Sequence, residues 1–188
     1  MIIGLVGRIG AGKDTAAEYL VDVLGAQLIS MGDMVRHLAA EEGVEPTREN
    51  LNRISDYYLK LDGPGFFPKM VAKKIKENSG RDVVITSVRT PNDITVLRRE
   101  LDNDIVFLWV EASQEMRYKR LKLRASARDT SSHEEFLKQD ENEERIFKLS
   151  ESQKMTDYSV VNESSLEELH MRLDEVLTKI GGAVKRQR

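Results

Sequence analysis

The sequence predicts an α/β fold in which a five-stranded parallel sheet is covered by helices on both faces, a three-layer α/β/α arrangement. Its short runs that are apolar at every position, not at alternate ones, suit strands buried on both sides. These runs alternate with segments whose apolar residues recur at three- and four-residue spacing, the order expected of a doubly covered parallel sheet. The first run also passes through a glycine-rich turn directly into a helix, a strand–loop–helix unit.

Ile2–Val6 is the first strand, with Ile2, Ile3 and Val6 as its β-branched residues. Gly7–Gly12 holds three glycines in six positions, and Lys13–Leu24 follows with Ala16, Ala17, Leu20, Val23 and Leu24 at helical spacing. Gln27–Ser30 is a short second strand, and Met34–Ala40 is a helix with Asp33 near its start, ended by Gly43–Pro46. Arg48–Leu61 and Phe67–Asn78 are helices separated by the turn residues Asp62–Gly65. Val83–Ser87 is the third strand, followed by Arg89, Thr90 and Pro91. Proline suits the first turn of a helix, where its missing N–H would be unpaired anyway, so Ile94–Leu101 continues as that helix. Ile105–Val110 is the most apolar strand, and Ser113 can cap a charged helix running past Arg124. Arg124–Gln153 is polar, nearly devoid of core residues, and reads as a solvated helical flap. Val160–Val161 closes a last strand, Leu166, Leu169, Leu173, Val176, Leu177 and Ile180 mark a final amphipathic helix, and Gly181–Arg188 reads as a frayed tail.

Composition narrows the function classes. The 188 residues suit one domain with a small insertion, and 40% hydrophobic against 32% charged residues fits a globular chain. Twenty-nine Lys and Arg against 32 Asp and Glu give a net charge of −3, without the basic excess of a general nucleic-acid binder. The absence of Cys excludes disulfides, thiolate metal sites and thiol nucleophiles. No apolar run approaches the roughly 18 residues of a membrane span. The N-terminus lacks a basic leader and a cleavage site, so a cytoplasmic location is expected.

Gly7-Arg8-Ile9-Gly10-Ala11-Gly12-Lys13 fits the pattern G-x-x-x-x-G-K. Glycines let successive backbone N–H groups curl around phosphate oxygens, and the helix beginning at Lys13 turns its positive end to the same anion. Lys13 can reach the β- and γ-phosphates. Asp14 stands where the pattern expects Ser or Thr, with Thr15 next. Gly7 through Thr15 are therefore the candidate ATP-binding residues, with Asp14 and Thr15 as candidate Mg²⁺ holders, Asp14 through a water.

With Gly-Lys-Asp-Thr at 12–15, the chain resembles the P-loop nucleoside-monophosphate kinases, especially their deoxynucleoside branch. Ser30-Met31-Gly32-Asp33-Met34-Val35-Arg36 resembles the S-T-G-D-x-x-R segment of adenylate kinases, whose arginine binds the acceptor phosphate. Val88-Arg89-Thr90-Pro91-Asn92-Asp93 resembles their second arginine segment, and Arg120 and Arg124 resemble the arginines leading into the adenylate kinase lid. Asp157–Glu163 resembles the last strand and nucleotide-base loop of the superfamily. The whole is similar to a mostly archaeal group described as adenylate-kinase or dephospho-coenzyme A kinase related. The resemblance implies one P-loop kinase domain over 1–188, with core segments 1–36, 80–123 and 155–180, an acceptor-binding helical insertion at about 37–79 and a lid at about 124–153. It departs from the pattern at Thr86 and Ser87, where these kinases often carry an acid that holds the metal's waters; Asp14 is the candidate to compensate.

Phosphoryl transfer asks for positioning and positive charge, so two phosphate cradles should face each other. Ser30, Asp33, Arg36 and Arg89 are the candidate acceptor residues, because a guanidinium grips phosphate with two hydrogen bonds. A surface ion pair is the plainer role for Arg89, and a solvated place on its helix the plainer one for Arg36. Arg117, Arg120 and Arg124 fall on one helical face and could swing over the donor phosphates, with Arg128 a fourth possibility; pairing to Glu115 or Asp129 is the alternative. Lys13, Arg89, Arg120 and Arg124 are the candidate catalytic residues. Asp33 could be a base toward an acceptor hydroxyl, although helix capping suits its place better. Tyr57, Tyr58, Phe66 and Phe67 could sandwich an acceptor base, with core packing the more ordinary role. His37, His133 and His170 share no metal-ligand spacing.

The function expected is an ATP- and Mg²⁺-dependent kinase of a nucleoside or deoxynucleoside monophosphate. The alternatives are a hydroxyl kinase like that of dephospho-coenzyme A, or a nucleotide-binding NTPase without a small acceptor. The expected partners are a nucleotide donor and a small phosphorylated acceptor, with no nucleic acid or membrane, the chain being a monomer or homodimer. ATP is the donor expected, and the sequence leaves the choice between ATP and GTP open.

Overall fold

The computed structural model describes residues 1–78, 80–124 and 132–181. The order is β1 (Ile2–Val6), α1 (Lys13–Leu24), β2 (Gln27–Ser30), α2 (Met31–Glu41), α3 (Arg48–Asp62), α4 (Phe66–Glu77) and β3 (Val83–Thr86). There follow α5 (Pro91–Glu100), β4 (Val106–Glu111), α6 (Gln114–Arg124), α7 (His133–Phe147), α8 (Leu149–Lys154), β5 (Tyr158–Val161) and α9 (Leu166–Lys179). The five strands form one parallel sheet in the order β2-β3-β1-β4-β5.

Both faces of the sheet are covered, which is why the strands read as unbroken apolar runs. Ile3, Leu5, Val84, Leu108 and Val110 pack against Ala16, Ala17 and Leu20 of α1 and Leu169, Leu173 and Leu177 of α9. Val6, Ile29, Val83, Ile85, Phe107 and Trp109 face the other way, onto Met34, Leu38, Val71, Ile94, Leu97 and Leu149. Parallel strands also place all five carboxyl ends on one edge, and ligands bind beyond that edge in open α/β sheets. The phosphate loop, the Ser30–Arg36 segment, Arg89, Ser113 and Asn162 each follow a strand there.

Two expectations change. α2 begins at Met31, three residues earlier than its apolar spacing indicated, because Ser30 and Asp33 form a reciprocal capping box that satisfies its first amides. The segment Arg124–Gln153 is not a wholly solvated flap: Phe136 and Leu149 are fully buried, and Ser152 is buried with its hydroxyl donating to Arg89 O at 2.8 Å. Phe136 and Leu149, with the partly buried Phe147 and the buried Arg117–Asp140 pair, anchor α7 and α8 to the body. Arg128 and Asp129, with most of the Gly181–Arg188 tail, lie outside the described residues. No helix among the described residues is long and apolar enough to cross a membrane.

Candidate functional site

The loop between β1 and α1 holds the shape its glycines require. Gly10 and Gly12 take left-handed backbone conformations, with φ of 77° and 94°. A Cβ on Gly10 would press on the Arg117 carbonyl oxygen, and one on Gly12 would collide with the Asn162 amide. Gly12 caps α1 without a side-chain hydrogen bond, so the first amides of that helix are left to an anion. The Lys13 ammonium donates to Gly7 O and Arg8 O, both at 2.8 Å, and so braces the loop from within.

Burial lowers the Lys13 proton affinity to a pKa of about 8; the Arg89 charge adds to the fall, while the Asp14 and Glu143 carboxylates oppose it. Because the folded value lies below the ordinary one, the free protein loses this positive charge as pH rises through about 8. Pyrophosphate binding should therefore weaken between pH 7 and pH 9, with proton uptake on binding in that window. Calorimetry in buffers of different ionisation enthalpy measures both effects, and a pH-independent affinity would contradict the assignment.

On one flank, Asn162 follows β5, and its Nδ2 donates to Ala11 O at 2.9 Å. Its Oδ1 accepts from Arg120 at 3.0 Å, and Arg120 also reaches Ala11 O at 3.4 Å. Arg120 is thus tethered beside the loop, while Arg124 is exposed at the end of α6. Arg117 departs furthest from expectation. It is buried and donates to both Asp140 oxygens at 2.6 and 2.7 Å, to Ile9 O at 3.3 Å and to Ala112 O at 3.2 Å. The three arginines are therefore not a row free to swing over the phosphates. Arg117 is fixed as a tie between α6, α7 and the loop, with Asp140 as its acid in place of Glu115.

On the other flank, Asp33 is a helix cap: one oxygen accepts the Ser30 amide at 2.9 Å, and the other is ion-paired with Arg36. The Ser30 hydroxyl accepts from the Gly32 amide at 3.0 Å and completes the cap. Arg36 is half exposed and committed to Asp33. Arg89 instead turns toward α7. Its guanidinium lies 3.9 Å from Glu143, 5.0 Å from the centre of the Phe147 ring, and close enough to Lys13 to depress its pKa. Ser87, two residues before it, is left-handed at φ 66°, a strained conformation for a residue with a Cβ. The end of β3 offers the buried Thr86 and this serine, and no carboxylate.

The aromatic group of the insertion packs on itself. Tyr58 stacks on Phe66 with ring centres 4.7 Å apart, Phe67 meets Phe66 edge-on at 5.1 Å, and Tyr57 stays exposed. Only Phe67 is buried in the core; Tyr58 and Phe66 are half-buried and occupy one face of each other.

Sequence reasoning missed the acids of α7. Glu144 is ion-paired with Arg8 and accepts the Ser150 amide at 3.1 Å; Asp140 approaches Arg8 at 3.8 Å; Glu143 faces Arg89. Their spacing of three and four residues is the only signal, and an exposed acidic helix shows the same pattern. Among the described residues no cluster of three or more His, Cys, Asp or Glu is built to hold a metal. Asp14 and Thr15 present hard oxygen donors on the exposed first turn of α1, which suits a Mg²⁺ held mainly by phosphate and water.

Residues 6–137 match a protein family described as an AAA domain. The UPF0200/UPF0201 protein of Archaeoglobus fulgidus is 32% identical over 98% of this chain, which spans only 57% of that protein's length. The UPF0200 protein of Pyrococcus horikoshii is 32% identical over 96% of this chain and 97% of its own. Among solved structures, a shikimate kinase from Acinetobacter baumannii bound to shikimate superposes with a TM-score of 0.56 and 14% identity, covering 95% of this chain and 92% of that one. At that identity the likeness is one of fold, a P-loop kinase-like α/β/α sandwich.

Proposed function

The chain belongs to the AAA-domain family of P-loop proteins and to the UPF0200 proteins, and from that premise we propose an ATP- and Mg²⁺-dependent kinase of a small phosphorylated acceptor, a nucleoside or deoxynucleoside monophosphate. The observation that carries this reading is a phosphate loop after β1, with the Lys13 ammonium braced on Gly7 O and Arg8 O, and Arg89 following β3 at the same edge of the sheet. Two such centres can hold two phosphates end to end.

The loop amides from Gly7 to Lys13 bind the donor tail, and Lys13 leaves its carbonyl partners to meet the β- and γ-phosphates. Arg89, assisted by Arg36, holds the acceptor phosphate. Arg120 and Asn162 line the donor flank, and Arg124 belongs to the lid. Asp14 and Thr15 would hold Mg²⁺, which would offset the charge of the donor phosphates. An acceptor phosphate oxygen bonds to the γ-phosphorus as the bond to the bridging oxygen breaks, and the nucleoside diphosphate leaves with that electron pair. The reading carries with it a cytoplasmic monomer or homodimer that binds no nucleic acid.

Asp33 supports a phosphate acceptor over a hydroxyl one, because one of its oxygens caps α2 and the other is ion-paired with Arg36. A panel of monophosphates and dephospho-coenzyme A, tested with ATP and Mg²⁺, measures transferred phosphate. Arg89→Ala should lower transfer about 10²–10³-fold while sparing ATP binding. Asp33→Asn should retain most activity, whereas loss of a true base would cost about 10²–10⁴-fold. Phosphate release without any acceptor, unchanged in Arg89→Ala and Arg36→Ala, would mark a plain NTPase and overturn the reading.

A further inference from the structure

The donor site carries its own counter-charge. Asp140, Glu143 and Glu144 project from successive turns of α7 onto Arg117, Arg89 and Arg8, three arginines from three different segments at the sheet edge. Asp140 is consumed by a buried pair, so Glu143 and Glu144 are the two acids left facing phosphate-binding groups. Glu143 lies near enough to Lys13 to act on its proton affinity, and so does Asp14, which stands where a neutral hydroxyl is usual. α7 does not present these acids on a loose arm. Phe136 is fully buried, Ser132 caps its first turn, and the Arg117–Asp140 pair pins its middle.

A polyphosphate entering this cradle replaces ion pairs already made and meets fixed carboxylates beside its oxygens. A metal-free nucleoside triphosphate brings full negative charge to that meeting; the same ligand complexed by a divalent cation brings much less. We propose that Glu143 and Glu144 set the donor specificity of the phosphate site, admitting the metal-complexed nucleoside triphosphate and rejecting the metal-free form. The inference rests on the reading under Proposed function, with Glu144 beside Arg8 of the donor loop and Glu143 beside Arg89 at the junction with the acceptor side.

The test is equilibrium binding of ATP by calorimetry, once with Mg²⁺ and once with EDTA, to the wild-type chain, Glu143→Gln and the double variant Glu143→Gln/Glu144→Gln. The wild-type chain should prefer the metal complex. The double variant should bind metal-free ATP about tenfold more tightly, with the metal complex changed less than threefold. Glu143→Gln alone, which leaves the Arg8–Glu144 pair in place, should show part of the same gain and covers the case of a double variant that fails to fold. Unchanged metal-free affinity overturns the proposal. So does weaker binding confined to the metal arm, which would make the acids metal-holding groups. A wild-type chain that binds ATP in neither medium removes the donor site itself. One that binds with the expected shifts but transfers nothing removes only the kinase assignment.

Discussion

Lys13→Ala is expected to lower kcat/KM for phosphoryl transfer about 10³-fold, the scale on which loss of a preorganised charge at a developing anion is felt. The size follows from where the ammonium sits. It is buried enough to have a pKa of about 8, so its charge acts in a poorly screened setting, and it is held 2.8 Å from two loop carbonyls before any ligand arrives. Removing it also leaves Gly7 O and Arg8 O without that donor, so part of the loss should appear as weaker ATP binding. α1 itself stays anchored through Ala16, Ala17 and Leu20, all buried against the sheet, so the thermal midpoint should move little. Lys13→Arg keeps the charge but cannot place a forked guanidinium in the same cradle, and should also lose most activity. A loss below tenfold in Lys13→Ala with the fold intact would separate this lysine from the chemistry.

The sheet and the phosphate loop were legible in the sequence because both are local. A strand buried on both faces must be apolar throughout, and a loop that wraps an anion must have glycines where φ is positive, as at Gly10 and Gly12. The capping of α2 was half legible. Asp33 was weighed as cap or base, and the reciprocal bonds with Ser30 decide for the cap. What the sequence hid is long-range. Arg117 looked like its neighbours Arg120 and Arg124, yet burial and an acid 23 positions away turn it into a structural tie. Asn162 sits on Ala11 across 151 positions, and a single asparagine after a strand announces nothing of the kind. Asp140, Glu143 and Glu144 read as solvent-facing charge because nothing local marks which acids of a polar helix meet arginines elsewhere.

The second large effect concerns stability. Asp140→Ala should cost about 3–5 kcal/mol, because it strands the buried Arg117 guanidinium without its acid. That penalty exceeds the value of an exposed pair by several-fold, since both groups have already left water. Arg117 cannot relax outward easily: it also donates to Ile9 O and Ala112 O and lies 5.4 Å from the centre of the buried Phe136 ring. The loss should therefore reach the phosphate loop, and ATP affinity should fall together with the urea midpoint. The pair also has a pH signature. Burial works to raise the Asp140 carboxyl, but hydrogen bonds and charge from Arg117, with help from Gln114 and Arg8, outweigh it and hold the group below its ordinary value. Its stabilising contribution is then complete above the ordinary carboxylate range and is lost as pH falls toward the depressed value. Asp140→Asn keeps the shape and removes the titration, so it should be less stable at pH 7 and lose less further stability on acidification than the wild type. Urea unfolding at pH 7 and pH 3.5 measures both differences. Parallel losses in the two proteins would mean that other carboxylates, and not this one, set the acid limit of the fold.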